Sequence, residues 1–279
     1  MTTSQTDQPP QTGREEDKRE AAEIEERIAP NAGVVYATIV RQGEDELARP
    51  NSALAFSGLA AGLSMGFSFI AEALLTAALP DAPWRNLITK FGYSFGFLIV
   101  ILGRQQLFTE NTLTPVLPLL DQFTWKRLVQ VCKLWVVVLI ANMIGVCLLA
   151  LVLAKVPVLD EPVRQTLKTL GEHVFAGPIP ITFARAAFAG WLIALMVWLL
   201  PFAETARVLV IILLTYLIGL GRFDHIIAGS TEKFYLLFTG AEDFGSLLFR
   251  FWLPTLLGNM CGGILLVAVL NHGQVASGK

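Results

Sequence analysis

The sequence predicts an all-α polytopic membrane protein with six transmembrane spans arranged as two inverted three-span repeats, with spans 2 and 5 broken. The first observation behind this is composition. Of the 279 residues, 54% are hydrophobic and only 16% are charged, whereas an ordinary soluble domain has about 25% charged residues. The net charge of −2 mixes both signs, so we expect no nucleic-acid partner.

The second observation is the number of apolar segments, because a helix of about 20 apolar residues crosses a ~30 Å hydrocarbon core. Four segments are long enough and unbroken: Leu54–Leu79, Leu134–Ala154, Phe183–Phe202 and Phe251–Asn271. Two more are interrupted by polar residues: Phe91–Gly103 resumes at Thr112–Leu120, and Val208–Gly221 resumes at Ile226–Phe238. Together they predict six crossings, of which the second and fifth are broken.

The third observation is an internal repeat. The tripeptide Leu-Gly-Arg at 102–104 returns at 220–222, and Asn-Met followed by Gly at 142–145 returns at 259–262. Three spans per repeat is an odd number, so the two halves are inverted in the membrane. Unwound backbone at that depth is tolerated only when it is buried or lines a cavity, which predicts a passage between the two breaks.

The spans divide the chain into three parts. We expect an N-terminal tail over residues 1–50, disordered at first and then forming a short charged helix from Gly13 to Ala29. A transmembrane channel domain over 51–271 follows, and then a C-terminal tail over 272–279.

An even number of spans puts both termini on one side of the membrane. The basic residues of the tail, with Lys126 and Arg127 after the second span, favour the cytoplasm for both termini. Lys155, Arg164 and Lys168 on the other side weaken that bias.

The fifth-span break contains the adjacent ionisable pair Asp224 and His225, flanked by Phe223 and Ile226. Ionisable groups within a membrane are costly and mark interior or aqueous pathways. We therefore predict a functional histidine. The competing interpretation is a neutral imidazole that hydrogen-bonds to the backbone.

The second-span break contains Leu107, Phe108 and Thr109. Two apolar side chains beside a hydroxyl predict either a narrow apolar gate with a hydrogen-bond donor or simply the start of a re-entrant half-helix.

We expect no metal or cofactor. The three cysteines, Cys132, Cys147 and Cys261, lie in or beside apolar runs without metal-ligand spacing.

Three motifs resemble the formate/nitrite transporter family. Residues 103–111, GRQQLFTEN, are similar to its second-span pattern G-S-E-L-F-T-G-N, and 223–228, FDHIIA, to its fifth-span F-E-H-x-x-A-N. Residues 254–263, PTLLGNMCGG, are similar to its sixth-span P-x-x-L-G-N-x-x-G-G. The resemblance covers roughly residues 51–271.

The resemblance implies a bacterial inner-membrane homopentamer whose aquaporin-like protomers each have a pore for small weak-acid anions, such as formate or nitrite, and protons. It makes His225 the central pore histidine, Thr109 its hydroxyl partner, and Leu107 with Phe108 a hydrophobic constriction. The remaining pore or solute-binding residues of this prediction are Phe223, Asp224, Asn111, Asn142, Asn259, Arg104 and Arg222.

The chain departs from the family pattern at several positions. Gln106 and Glu110 replace its Glu and Gly, and its fourth-span Lys has no counterpart in residues 174–183, where the nearest candidate is His173. Arg104 and Arg222 either replace the missing positive charge or pair with Glu110 and Asp224.

A mechanism follows from the cost of removing water from a charge. A bare anion does not cross a dry apolar ring, but burial favours the protonated acid, and the neutral acid then passes. His225 either supplies the proton or only orients the solute, since an imidazole titrates in the right range for both roles.

Three alternatives stay open. An aquaporin-type channel for neutral solutes predicts Asn-Pro-Ala motifs at the breaks, which the sequence does not have. An intramembrane enzyme using Asp224, His225 and Ser230 has no nucleophile-elbow or metal-ligand pattern. A non-transporting sensor or scaffold is consistent with the altered residues Gln106, Glu110 and Arg222.

Overall fold

A computed structural model describes residues 30–173 and 177–277, and its regular secondary structure in those ranges is helical throughout. The predicted charged helix from Gly13 to Ala29 lies outside the described residues. Six helices are long and apolar enough to cross a membrane: span 1 Asn51–Ala78, span 2a Arg85–Leu102, span 3 Trp125–Lys155, span 4 Ile179–Phe202, span 5a Glu204–Gly221 and span 6 Phe244–Ser277.

Two of these spans stop short and resume after a break, as predicted. Span 2a is followed by turns, including a short 3₁₀ turn at Glu110–Thr112, and then by span 2b, Val116–Asp121. Span 5a is followed after four residues by span 5b, Ile226–Thr239. The two breaks therefore differ in length, because the first needs a turn before its second half begins.

The two halves of the molecule pack in the same way. Span 1 packs along span 3, and span 4 packs along span 6. A Cβ placed on Gly62 of span 1 would be 2.3 Å from the Asn142 carbonyl oxygen, and one on Gly190 of span 4 would be 2.1 Å from that of Asn259. Glycine is needed at both positions because the helix backbones approach each other too closely for a side chain.

A helix over Ala32–Ala48, here called the N-terminal helix, precedes span 1. Asn31 caps it by accepting a hydrogen bond from the Val34 amide at 3.1 Å. Its buried residues Tyr36, Ile39 and Gly43 follow helical spacing. The charge pattern predicts a tail helix only up to Ala29, so this one is an addition. Its apolar stripe is narrow and its second half is rich in carboxylates.

The helix of span 6 continues into the predicted C-terminal tail. It includes two π-helical turns, Leu247–Trp252 and Ile264–Val269, and reaches Ser277. The Tyr36 hydroxyl lies 2.7 Å from His272 Nδ1 and joins the N-terminal helix to this end of span 6. Burial, and then the negative charge of Asp121, raise the pKa of Tyr36 to about 12, so the phenol is neutral at physiological pH.

Candidate functional site

Both broken helices end in the same backbone motif. The amides of Arg104 and Arg222 each donate to the carbonyl three residues earlier at 3.2 Å, and the next amide donates to the carbonyl five residues earlier. Both arginines have a left-handed backbone, with φ of 53° and 51°. Glycine normally occupies this position of a helix C-terminus. For another residue the left-handed conformation costs about 1–2 kcal/mol.

Asn142 of span 3 holds the first break open. Its Oδ1 accepts from the Phe108 amide at 2.9 Å, and its Nδ2 donates to the carbonyls of Gln106 at 2.9 Å and Gly58 at 2.7 Å. The residue between these two anchored backbone groups is Leu107. Asn142 thus satisfies two groups of the break, the Phe108 amide and the Gln106 carbonyl, that a continuous helix would satisfy internally, and it ties them to the unbroken span 1 through Gly58.

Asn259 of span 6 does the same for the second break. Its Oδ1 accepts from the Ile226 amide at 2.8 Å, and its Nδ2 donates to the carbonyls of Asp224 at 2.9 Å and Ala186 at 2.8 Å. The residue between the anchored groups is His225. Asn142 and Asn259 are fully buried, and their amide hydrogens go to backbone carbonyls. In this structure both act on the breaks, and contact with a solute stays a prediction.

The two breaks meet at Thr109 and His225. Thr109 Oγ1 lies 2.8 Å from His225 Nε2, and His225 is only 1% exposed. His225 also precedes span 5b as its N-cap, because Nδ1 accepts a hydrogen bond from the Ala228 amide at 3.1 Å. The predicted juxtaposition of the two breaks is therefore present in the structure.

The hydrogen bonds of His225 assign its tautomer. Nδ1 accepts from an amide, so the proton of the neutral ring is on Nε2 and is donated to Thr109 Oγ1. The hydroxyl hydrogen of Thr109 then remains as a donor for a third group. An imidazolium would turn a second N–H toward the Ala228 amide and would lose the cap.

Apolar side chains surround this pair. Leu107 and Phe108 are buried, and the Phe97 ring lies edge-on to the His225 imidazole with centroids 5.1 Å apart. Trp135 packs edge-on against Phe108 at 6.4 Å. We call Leu107, Phe108, Thr109, Phe97 and His225 the throat.

A polar cavity lies on each side of the throat. The Asp224 cavity, of about 310 Å³, is lined by His225, Asp224, Arg222, Tyr93 and Glu232, among others. The Glu46 cavity, of about 350 Å³, is lined by Glu46, Arg104, Gln106, Glu110 and Thr114, among others. The two cavities share no lining residue and lie at opposite ends of span 2a, with Lys90 lining the first and Ile101 the second; of the throat residues, only His225 lines either of them.

Asn111 lies in a buried network beside the first break. Its Nδ2 donates to Gln106 Oε1 at 2.9 Å, and the Trp135 indole N–H donates to its carbonyl at 2.8 Å. Thr114 extends this network, donating to Glu46 Oε2 at 2.9 Å. Asn111 therefore connects the break to the N-terminal helix, and its contact with a solute stays a prediction.

The two arginines of the breaks do not form the ion pairs that one interpretation offered. In the described ranges, Arg104 has no ion pair with Glu110 within 4 Å, and Arg222 has none with Asp224. Both are exposed and line opposite cavities. The other interpretation, replacement of a missing positive charge, stays a prediction.

The second break places its remaining predicted residues in different surroundings. Phe223 stacks on Phe188, with ring centroids 5.2 Å apart, and lines the Asp224 cavity. Ser230 does not reach His225. It hydrogen-bonds to the Ile226 carbonyl and accepts from the Trp252 indole at 2.9 Å. The Ser230 hydroxyl is therefore not brought to the Asp224–His225 pair as the enzyme interpretation expected.

Sequence reasoning missed several charged residues near the site. Lys90 pairs with buried Glu72 in the Asp224 cavity. The charge of Arg185 acts on Asp224 from span 4, two residues beyond the segment searched for a family lysine. A charge inside an apolar span is the signal that could have found Arg185. The same signal does mark Glu72 in span 1, for which the sequence favours a contact at the membrane interface or with another subunit over a place in the pore. Nothing in the pattern indicates Glu46. The side chain of His173 lies outside the described part of the chain.

Comparison with known protein families and proteins identifies relatives of this chain. A family model described as formate/nitrite transporter matches residues 33–273. The inner membrane protein YfdC of Escherichia coli (strain K12) is 41% identical over 262 residues, covering 94% of this chain and 84% of that protein. The formate channel FocA of Haemophilus influenzae is 22% identical over 243 residues, covering 77% of this chain and 84% of its own length.

Solved structures share the fold. An FNT family ion channel superposes with a TM-score of 0.72 at 19% identity, over 88% of this chain and 98% of the other. A pentameric formate channel with formate bound gives a TM-score of 0.64 at 21% identity, over 86% and 99%. With two broken spans, an asparagine holding each break and a family model that matches most of its length, the chain belongs to the formate/nitrite transporter family.

Proposed function

We propose that this chain conducts small monovalent weak acids, such as formic or nitrous acid, which arrive as anions and cross as neutral molecules. The observation that carries the proposal is the Thr109–His225 contact of 2.8 Å inside an apolar throat between two polar cavities. A relative named formate channel FocA and a neighbour with formate bound support this class of solute.

The throat explains why the neutral form is the one that crosses. Leu107, Phe108 and Phe97 are buried apolar side chains, and an ion without hydrogen bonds in such surroundings is strongly destabilised. A carboxylic acid has one O–H donor and retains acceptors. It therefore needs few partners during the crossing.

Thr109 and His225 supply those partners. The neutral imidazole donates to Thr109 Oγ1, so the Thr109 hydroxyl hydrogen is available to the solute's carbonyl oxygen. The Ala228 amide occupies Nδ1, and this supports an orienting role for His225 over a role as proton donor. Protonation of the solute then takes place in the cavities, where water is present.

We also propose the assembly and location that the relatives indicate. A homopentamer agrees with the neighbour described as pentameric, and an inner membrane agrees with the name of the 41% identical relative. Cytoplasmic termini rest on Lys126 and Arg127 after the second span. That orientation places the Glu46 cavity on the cytoplasmic side.

Proteoliposomes test the proposal directly. Purified full-length protein is reconstituted, and uptake of formate, nitrite and acetate is measured beside water and glycerol, against vesicles without protein. We expect acid uptake above that of empty vesicles. His225→Asn should lower it roughly tenfold or more, as expected when a buried hydrogen bond is disrupted. The matched control is His272→Asn, far from the throat, which should leave flux unchanged.

Two results would reject the proposal. Acid uptake equal to that of empty vesicles would rule out transport of weak acids. Faster water or glycerol uptake in the same vesicles would favour the aquaporin-type alternative. Wild-type flux from His225→Asn across about pH 5 to 8, where an imidazole titrates, would remove the central role of the histidine.

A further inference from the structure

The Glu46 cavity contains positive charge that the fold does not pair. Among the described residues, its wall includes three arginines, Arg49, Arg104 and Arg207. Within 30–173 and 177–277, none of the three has an ion pair within 4 Å. The Asp224 cavity differs, because of the three lysine and arginine side chains described in its wall, two form ion pairs with carboxylates. Unpaired guanidinium groups are therefore concentrated on one side of the throat.

The three arginines come from different parts of the fold. Arg49 is the C-cap of the N-terminal helix, Arg104 follows span 2a, and Arg207 lies in the first turns of span 5a. The Arg207 side chain donates a long hydrogen bond of 3.4 Å to the Leu200 carbonyl, and those of Arg49 and Arg104 donate none within the described part of the chain. Guanidinium groups present their N–H donors in a planar fork that suits an anion with two oxygens.

The carboxylates described in the same wall do not cancel this charge. They are Asp45, Glu46 and Glu110. Glu46 accepts from Thr114 at 2.9 Å, and burial, which that hydrogen bond opposes in part, raises the pKa of Glu46 and so favours its uncharged form. With Glu46 protonated, the arginines exceed the two remaining carboxylates by one charge. One positive charge in excess matches a single monovalent anion.

The backbone at Arg104 supports a function for its side chain. Its φ of 53° is left-handed, and glycine normally occupies this position at a helix end. A positive side chain at a helix C-terminus is stabilised by the helix dipole, but at an exposed position this gain is smaller than the cost of the left-handed conformation. Arg104 is exposed. Backbone strain of this kind is found where a functional side chain has to be kept in place.

The arginines lie at the entrance of the throat. Gln106 and Glu110 line the same cavity, and they flank the throat residues Leu107, Phe108 and Thr109 in the sequence. An anion held in this cavity is therefore next to the throat but still in a space that admits water.

We propose that Arg49, Arg104 and Arg207 form a binding site in the Glu46 cavity for the anionic form of the solute, a small monovalent carboxylate or nitrite. The guanidinium groups donate to the oxygens of the anion and hold it until it is protonated and enters the throat. This inference rests on the proposed function, because it assigns the place at which the anion of the weak acid is collected.

Saturation-transfer NMR of the formate C–H proton tests the site without any requirement for flux. Purified full-length protein in detergent is titrated with formate at neutral pH and low ionic strength, since salt screens exposed charges. We expect saturable binding by the wild type and a loss of affinity of roughly tenfold in Arg104→Gln, because a charged hydrogen-bond donor is removed. Arg41→Gln is the matched control, since it removes the same charge from an exposed arginine of the N-terminal helix that lines neither the Glu46 cavity nor the Asp224 cavity. It should bind formate like the wild type.

Competition identifies the chemistry of the site. Nitrite, which has no C–H proton, should displace formate, whereas formamide, a neutral molecule of similar shape, should not. If Arg104→Gln does not assemble, Arg49→Gln serves in its place, with the same expected direction. Absence of saturable formate binding by the wild type, wild-type affinity in the assembled variant, or displacement by formamide as effective as by nitrite would overturn the proposal.

Flux separates this proposal from the proposed function. Formate uptake equal to that of empty vesicles, together with formate binding that depends on Arg104, would reject the proposed function and leave the binding site standing. Uptake above that of empty vesicles, together with binding that does not depend on Arg104, would reject the binding site and leave the proposed function standing.

Discussion

The first and second breaks share a backbone and differ in the side chain at their centre. Each follows a left-handed arginine, and each is held by an asparagine from the third span of its own repeat. The asparagine of the first break anchors the groups on either side of Leu107, whereas that of the second anchors the groups on either side of His225. The first repeat thus contributes the apolar wall of the throat and the Thr109 hydroxyl, and the second contributes the imidazole of His225.

The difference extends one residue outward. The position before Leu107 is Gln106, whose amide oxygen accepts from Asn111, whereas the position before His225 is Asp224, with an unpartnered carboxylate oxygen among the described residues. Inverted repeats give the protein two equivalent scaffolds. The side chains at these central positions differ between the two, so each break contributes different chemistry to the throat.

The largest expected effect tests whether the scaffolds are equivalent. Asn142→Ala and Asn259→Ala each leave two buried backbone groups of a break, one amide and one carbonyl, without their partner. At about 1–3 kcal/mol for each unsatisfied group, both should lower the free energy of unfolding by roughly 2–6 kcal/mol. Thermal unfolding in detergent, followed by the loss of monodisperse protein, measures this, and exposed Asn86→Ala is the control. If only one of the two variants unfolded at the wild-type temperature, the two scaffolds would not be equivalent.

A second effect tests the apolar side of the comparison. Leu107→Ala removes bulk from the throat and keeps His225, so larger acids should gain access. Discrimination by one methylene is worth about 10–200-fold in an apolar pocket, so we expect the ratio of propionate to formate flux to rise by roughly tenfold. Leu148→Ala, at an exposed position of span 3, is the control. An unchanged ratio would show that Leu107 does not set the width of the throat.

A smaller effect tests the left-handed backbone at the ends of spans 2a and 5a. Glycine at position 104 or 222 relieves a left-handed conformation worth about 1–2 kcal/mol, and greater freedom of the unfolded chain offsets part of that gain. Arg104→Gly and Arg222→Gly should each unfold at a higher temperature than the corresponding alanine variants, which lose the charge but keep the strain. Alanine variants at least as stable as glycine variants at both positions would contradict the left-handed backbone.

The smallest effect tests a difference between the two cavities. The N-terminal helix lines the Glu46 cavity and does not line the Asp224 cavity. Burial raises the pKa of Glu46, and its hydrogen bond from Thr114 opposes this in part. The folded state therefore holds the Glu46 proton more tightly than the unfolded chain does. Stability from this group increases as pH falls through the raised pKa and is lost as pH rises.

Glu46→Gln should remove that dependence of stability on pH. At neutral pH the N-terminal helix of the variant should dock at least as firmly as that of the wild type. Hydrogen exchange of the amides of residues 32–48, measured at a series of pH values falling from neutral, follows the docking. If protection of these amides in the wild type weakened as pH falls, the prediction would be contradicted.

Much of this comparison could be predicted from the sequence. The repeated Leu-Gly-Arg and Asn-Met segments predicted both breaks and the asparagines at equivalent positions, because an inverted repeat preserves the residues that hold its backbone. The repeat predicted that the two breaks meet, and the resemblance to the formate/nitrite transporter family implied that Thr109 and His225 are the residues in contact there. Apolar segment length fixed the six spans, since the hydrocarbon core sets that length.

Other features depend on contacts that no local pattern encodes. The anchoring role of Asn142 and Asn259 requires knowing which carbonyls lie within 3 Å of each amide. The N-terminal helix was missed because its buried stripe of Tyr36, Ile39 and Gly43 is narrow. Its contribution of Glu46 depends on docking against span 2b. The partners of Arg104 and Arg222 could not be decided, because ion pairing depends on side-chain direction.

A double-mutant cycle on formate flux tests the central claim, that the two breaks act through one contact between Thr109 and His225. Flux into proteoliposomes is compared for the wild type, Thr109→Val, His225→Asn and the double variant, at matched protein content. Residues joined by one hydrogen bond are not independent, so the double variant should be no slower than the slower single variant. A double variant whose loss equals the product of the two single losses would contradict the claim.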